Sequence, residues 1–211
     1  MAADLRTALL NVVSASAIQA AIRACHRETP TSPLAAKRQR RLARRAVLAV
    51  LLDVNLKVNP VIEALQKLYE AGGEAGQTGN QWHALHDASH RIGTALAWGI
   101  RFLIADEVVS AVEQLGDAEM TSEVVERLAQ GIDKAVGRRA SSIAMYELNK
   151  AKHAARMDGY HATGVRRVAW VGGTCRRCAR NAAASPIDIH TAWPDGPPPV
   201  HGRCSCTVVP A

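Results

Sequence analysis

The alternation of apolar and polar positions divides the chain into long stretches of helical period, followed by a tail of shorter period. Leu5, Leu9, Val12, Val13 and Ile18 recur mostly at three- and four-residue steps, which predicts a helix from Ala2 to about Arg27. Thr29-Pro30-Thr31-Ser32-Pro33 ends it, because a residue before proline avoids the helical region. A second helix is expected from about Leu34 to Asn59, with Leu42 as its main apolar anchor and an apolar run from Ala46 to Leu52. Pro60 suits a helix start, and Val61 to Tyr69 continue in helical spacing. Ala71 to Asn80 hold four glycines and form the clearest break. A third helix is expected from Gln81 to Leu115, with Trp82, Leu85, Ile92, Leu96, Leu103 and Ile104 as its stripe. A fourth runs from Glu119 to Asp158, capped by Ser122 or Asp117 and ended by Gly159. Its stripe is Val124, Val125, Leu128, Ile132, Val136, Ile143, Met145 and Leu148.

After Gly159 the period changes. Val165 to Val171 alternates and is rich in β-branched residues, so it reads as a strand. Cys206 to Val209 is its natural partner, and Ile187 to Ile189 adds a third short strand. The expected fold is mainly α: a long-helix body with a small C-terminal α+β zinc-knuckle lobe. Residues 1–115 form the helical body, broken at 71–80, and 116–211 carry the long helix and the Cys/His lobe.

Composition supports that picture. Aromatic residues are only 4% of the 211, which suits helices packed through small side chains more than a β-sandwich core. The net charge of +7 favours an anionic partner. Much of it is concentrated in the second helix, at Lys37, Arg38, Arg40, Arg41, Arg44 and Arg45, spread over much of the helix circumference. These are the candidate contacts to DNA phosphates or to an acidic protein face, since arginine forks suit phosphate geometry. No apolar run approaches the roughly 20 residues of a membrane span. Ser14-Ala15-Ser16-Ala17 resembles a signal cleavage site, but the apolar run before it is short and holds Asn11, so no signal peptide is expected.

The chemistry-bearing residues concentrate in the tail. Four of the five cysteines lie there, as Cys175-x-x-Cys178 and His201-x-x-Cys204-x-Cys206. Each motif presents its ligands at one turn, and Zn²⁺ takes four N/S ligands in a tetrahedron. Cys175, Cys178 and Cys204 with either His201 or Cys206 complete such a set. Such a closed site is structural, and its binding energy is folding energy. Two disulfides, free thiols, a catalytic metal and a redox C-x-x-C are the alternatives. The redox pattern opens a helix after a strand, whereas a loop is expected after Cys178. Cys25 stands alone and reads as a small buried hydrophobe. His83, His86, Asp87 and His90 share a helix and form a second, weaker candidate metal set. There is no Gly-x-Ser-x-Gly and no recognisable serine–histidine–acid set, so the chain is not expected to be an enzyme. A nuclease would pair His201 with a second group, for which His190 is the nearby candidate.

Trp170, Cys175-x-x-Cys178 and the closing Pro199-Val200-His201-x-x-Cys204-x-Cys206-Thr207-Val208-Val209-Pro210 resemble the end of the phage head morphogenesis domain, the family of Mu F-like minor head proteins. The resemblance covers roughly Arg138 to Pro210, and Arg138, Arg139, Glu147 and Asn149 resemble polar positions of that domain. Val171-Gly172-Gly173 stands where the family often has an acid, Gly202 where it has proline, and Ser205 where it has arginine. The resemblance implies a non-catalytic minor capsid protein, made in the host cytoplasm and packaged inside the virion head. Its implied partners are the portal, with the major capsid protein and packaged double-stranded DNA beside it, and no membrane. Its role would be head assembly or DNA delivery, with no toxin domain after the module. The alternatives are a zinc-containing nucleic-acid-binding module and, less favoured, a metal-dependent nuclease.

Overall fold

The computed structural model of the protein describes residues 2–27, 36–53, 58–73, 80–115, 119–202 and 204–211. The chain is mainly helical, with a small C-terminal lobe of strands and one short helix. Eight helices occur among the described residues: α1 (Ala2–Leu10), α2 (Ala15–Arg27), α3 (Ala36–Asp53), α4 (Val58–Gly73), α5 (Asn80–Asp87), α6 (Ser89–Leu115), α7 (Ser122–Ala162) and α8 (Arg176–Ala184). Three strands complete it: β1 (Arg167–Val171), β2 (Ile187–Asp188) and β3 (Thr207–Pro210). No single helix among the described residues is long and apolar enough to cross a membrane.

The helices differ from the pattern-based expectation at two internal breaks and at their ends. The first expected helix is two, because Ser14 intervenes and its Oγ accepts the Ala17 N–H at 3.3 Å. A five-residue step from Val13 to Ile18 is the mark of that break. The third expected helix is also two, parted by a turn at Ala88. Pro60 lies in the first turn of α4, where its missing N–H costs nothing. The cap of α7 is Thr121, whose Oγ1 accepts the Val124 N–H at 3.3 Å, not Ser122; Asp117 lies outside the described residues. Gly159 does not end α7, since the helix continues to Ala162. Gly164 ends it, at φ 73°, with Gly164 N–H donating to His161 O (3.2 Å) and Val165 N–H to Tyr160 O (3.0 Å). That pair of bonds satisfies the last carbonyls and needs the left-handed glycine.

Two compact units emerge, and they interleave along the chain where the sequence reading has consecutive segments. One comprises Met1–Leu5, Glu63–His90 and Ser141–Ala211; the other comprises Arg6–Ile62 and Arg91–Ala140. In the second unit α2 packs on α3. Its core includes Ile18, Ile22, Val47, Leu51, Ile104, Val108 and Ile132. Leu42 is not the anchor of α3: it is 42% exposed, and Ala43, Val47 and Leu51 face inward instead. Cys25 is buried there as a small hydrophobe, and burial pushes its thiol up to about 11.

In the first unit, α7 turns alanines inward: Ala144, Ala151, Ala154 and Ala155 are buried, while Met145 is 47% exposed. Small residues let neighbouring backbones approach closely. Buried Glu147 accepts the Tyr69 hydroxyl at 2.6 Å and Lys150 Nζ at 3.4 Å. The sheet has the order β2–β1–β3 and is antiparallel throughout, with Arg167 opposite Asp188 and Trp170 opposite Val208.

Candidate metal centre

The first ligand turn is built by two glycines and a helix start. β1 ends at Val171, and Gly172 (φ 91°) and Gly173 (φ 79°) redirect the chain in a conformation other residues rarely adopt. A side chain at Gly173 would overlap Cys206 Sγ and come within 2.6 Å of Cys178 Cβ, so the backbone itself forms one wall of the site. Cys175 then caps α8, its Sγ accepting the Cys178 N–H at 3.4 Å. Cys178 follows on the first turn, fully buried.

The sequence pattern misses α8. A C-x-x-C at a strand-to-helix junction is the local setting of redox motifs, contrary to the loop expected after Cys178. The wider setting differs, because β1 is antiparallel to both its neighbours and, among the described residues, no parallel βαβ unit surrounds the motif.

The second ligand turn is held by one face of α7. Ser142 Oγ donates to Gly202 O at 3.3 Å, and Asn149 Nδ2 donates to Cys204 O at 3.2 Å. Arg156 reaches Thr207 Oγ1, and Tyr160 Oη donates to Val208 O at 3.2 Å. Ser142, Asn149 and Arg156 are spaced by sevens, so one helical stripe positions the whole closing segment. Only Asn149 stood out in the sequence; the seven-residue polar spacing was the available signal for the rest. Within the turn, the Cys204 N–H donates to His201 O at 2.9 Å.

The loop between the two turns is clamped from α8. Buried Asn181 donates to Gly196 O and accepts from the Asp195 N–H, both at 2.9 Å. Arg180 Nε pairs with Asp195 Oδ2 at 2.8 Å. Beneath lie Trp170 and Trp193, edge to face at 5.1 Å between centroids, in a core shared with Cys178, Cys204, Cys206, Val168 and Val208. Trp170 therefore packs under the cysteines.

The five candidate ligands converge. Cys175 Sγ lies 3.2 Å from Cys178 Sγ and 3.3 Å from His201 Nε2. Cys178 Sγ is 3.6 Å from His201 Nε2 and 3.9 Å from Cys204 Sγ. Four ligands around one tetrahedral zinc would stand about 3.3–3.8 Å apart, given bond lengths of about 2.0–2.3 Å. The atoms form two overlapping triplets, Cys175/Cys178/His201 and Cys178/Cys204/Cys206, each within 4.8 Å and sharing Cys178. The donor set fits a metal ion. All five cysteines are free, and none is paired in a disulfide.

The thiols are not equivalent. The Cys178 N–H and the Cys178 thiol lower Cys175 from its ordinary value. Burial pushes Cys178 up. Burial also raises Cys204, but backbone donors at Val200 and Cys206 outweigh it and leave the thiol lowered. Burial raises Cys206.

The other candidates are not drawn into such a cluster. Among the described residues, His83, His86, Asp87 and His90 form no group at metal distance; His86 pairs with Glu70 at 3.8 Å, and the turn at Ala88 puts His90 on another helix. His190 stacks on His161 at 5.1 Å and does not join His201 in a metal group. In the basic block, Arg40 pairs with Glu113 at 3.5 Å and Arg44 with Asp106 at 2.8 Å, while Arg41 and Arg45 are exposed. The side chains of Lys37 and Arg38 lie outside the described residues.

Compared with protein-family models, curated proteins and solved structures, the chain finds no match.

Proposed function

We infer that the protein is a minor head protein of the Mu F-like head morphogenesis family, acting by binding and not by catalysis. One observation carries this reading: the two Cys/His turns of the resembling tail meet over Trp170, and α7 within the same stretch supplies the side chains that hold them. The metal would be zinc, in a closed structural site made by Cys175, Cys178 and Cys204 with His201 or Cys206. It would fix the shape of the lobe, while helices dock on the portal or shell inside the head. On the basic helix, the exposed Arg41 and Arg45 would face packaged DNA. Arg40 and Arg44 already spend charge on α6 carboxylates.

The test joins metal content to partner binding. Native mass spectrometry of the full chain should show one zinc, lost on denaturation, with Cys175→Ser abolishing it. The zinc-loaded chain should co-sediment with portal rings produced in the same cells. A metal-free native chain sinks the structural zinc. A zinc-loaded chain that ignores the portal yet binds duplex DNA in a salt-sensitive way favours the nucleic-acid-binding module instead.

A further inference from the structure

The chain's single phenylalanine is on the surface. Phe102 is 44% exposed on α6, one turn from Trp98 at 37%, with ring centroids 6.2 Å apart. The other two tryptophans with described side chains, Trp170 and Trp193, are buried. Trp98 is held in place from below, because the buried Arg101 guanidinium stacks over its ring at 4.9 Å.

Around these rings runs a single exposed strip. Arg91, Ala95, Trp98, Gly99, Phe102 and Asp106 are all exposed and follow helical spacing along one face, over about 22 Å of helix. Gly99 is a notch: a Cβ built there would meet nothing within 4 Å. The order of the strip is positive, small, large, small, large, negative.

We propose that this face of α6 binds a second copy of the chain, with the two α6 helices antiparallel about a two-fold axis between Trp98 and Gly99. Each position then meets its complement. Trp98 enters the notch at Gly99 of the second copy, Ala95 lies under Phe102, and Arg91 reaches Asp106. The two-fold repeats every contact, as an isologous interface requires. A parallel pairing would set Arg91 against Arg91 and Asp106 against Asp106, so charge selects the antiparallel one. Asp106 also accepts from Arg44, and its two oxygens have acceptor sites for both arginines. One helical strip buries less than the roughly 1,200 Å² of standard interfaces, so the dimer is a weak one that forms as concentration rises.

Sedimentation equilibrium on the full chain, from about 1 µM to 1 mM, tests this across the range of weak affinities. A reversible monomer–dimer equilibrium is expected. Gly99→Leu fills the notch and should weaken the dimer by about tenfold or more, with the melting temperature not lowered, because the space around Gly99 is open and leucine favours a helix interior over glycine. Arg91→Glu and Asp106→Arg should each weaken self-association, and an equimolar mixture of these two variants should restore it. A chain that stays monomeric throughout overturns the proposal. So does a dimer that Gly99→Leu leaves intact, or a charge-swapped mixture that does not recover.

Discussion

Gly173 shows how one residue without a side chain can set the geometry of a site. Its φ of 79° costs any other L-residue about 1–2 kcal/mol, and the missing Cβ leaves the room that Cys206 and Cys178 occupy. Gly173→Ala should therefore push two candidate ligands apart. We expect metal affinity to fall by about 10–100-fold, the range seen when supporting groups of a metal site are lost. Competition with a chromophoric chelator measures this. Gly131→Ala, with open space around it, is the control and should bind metal as the parent does. Equal affinity in both variants would show that Gly173 does not shape the site.

At the level of elements, β1 and the first half of α7 were legible because their burial follows a period. β1 alternates, and the buried positions Val125, Ile132 and Val136 of α7 keep helical steps. α8 was not legible because only Cys178 and Asn181 of its nine residues are buried, one as a candidate ligand and one as a hydrogen-bonding clamp. No apolar stripe exists there to be read. The cysteines and His201 that cluster at metal distance were legible as candidates from residue type and spacing, whereas the supports on α7 were hidden among ordinary polar residues.

α7 also carries a pH-sensitive position. His153 is held down to about 4, because burial penalises its cation and Arg156 repels it, and its Nδ1 finds no hydrogen-bond partner among the described residues. Above the ordinary value of 6.5 this costs nothing. As pH falls from 6.5 toward 4, the unfolded chain takes up a proton that the folded chain refuses. Stability should then fall by roughly 1.4 kcal/mol per pH unit from this group. Urea titrations at several pH values, compared with His153→Leu, isolate the effect. Parallel curves for the two proteins would exclude it.

For the molecule as a whole, removing a metal held at this Cys/His cluster should be a local event. α8 has nine residues against 41 in α7, so a chelator should leave the far-ultraviolet helical signal almost intact. Trp170 and Trp193, packed against the cysteines, should move to a wetter environment, with red-shifted fluorescence and a weaker near-ultraviolet signal. Loss of most helical signal on chelation would mean that the metal supports far more than the C-terminal lobe. Unmoved tryptophan emission would mean that the lobe stands without it.

The strand order β2–β1–β3 has a consequence in time. β1 is central, yet both its partners come later in the chain, and the candidate ligands arrive in two instalments. A ribosome adding about 5–20 residues per second needs roughly 2–8 seconds to travel the roughly 40 residues from β1 to β3. Through that interval the nascent β1 has no β3 to pair with, and a cation caught by Cys175 and Cys178 would have to wait for the other candidate ligands, His201, Cys204 and Cys206, to emerge.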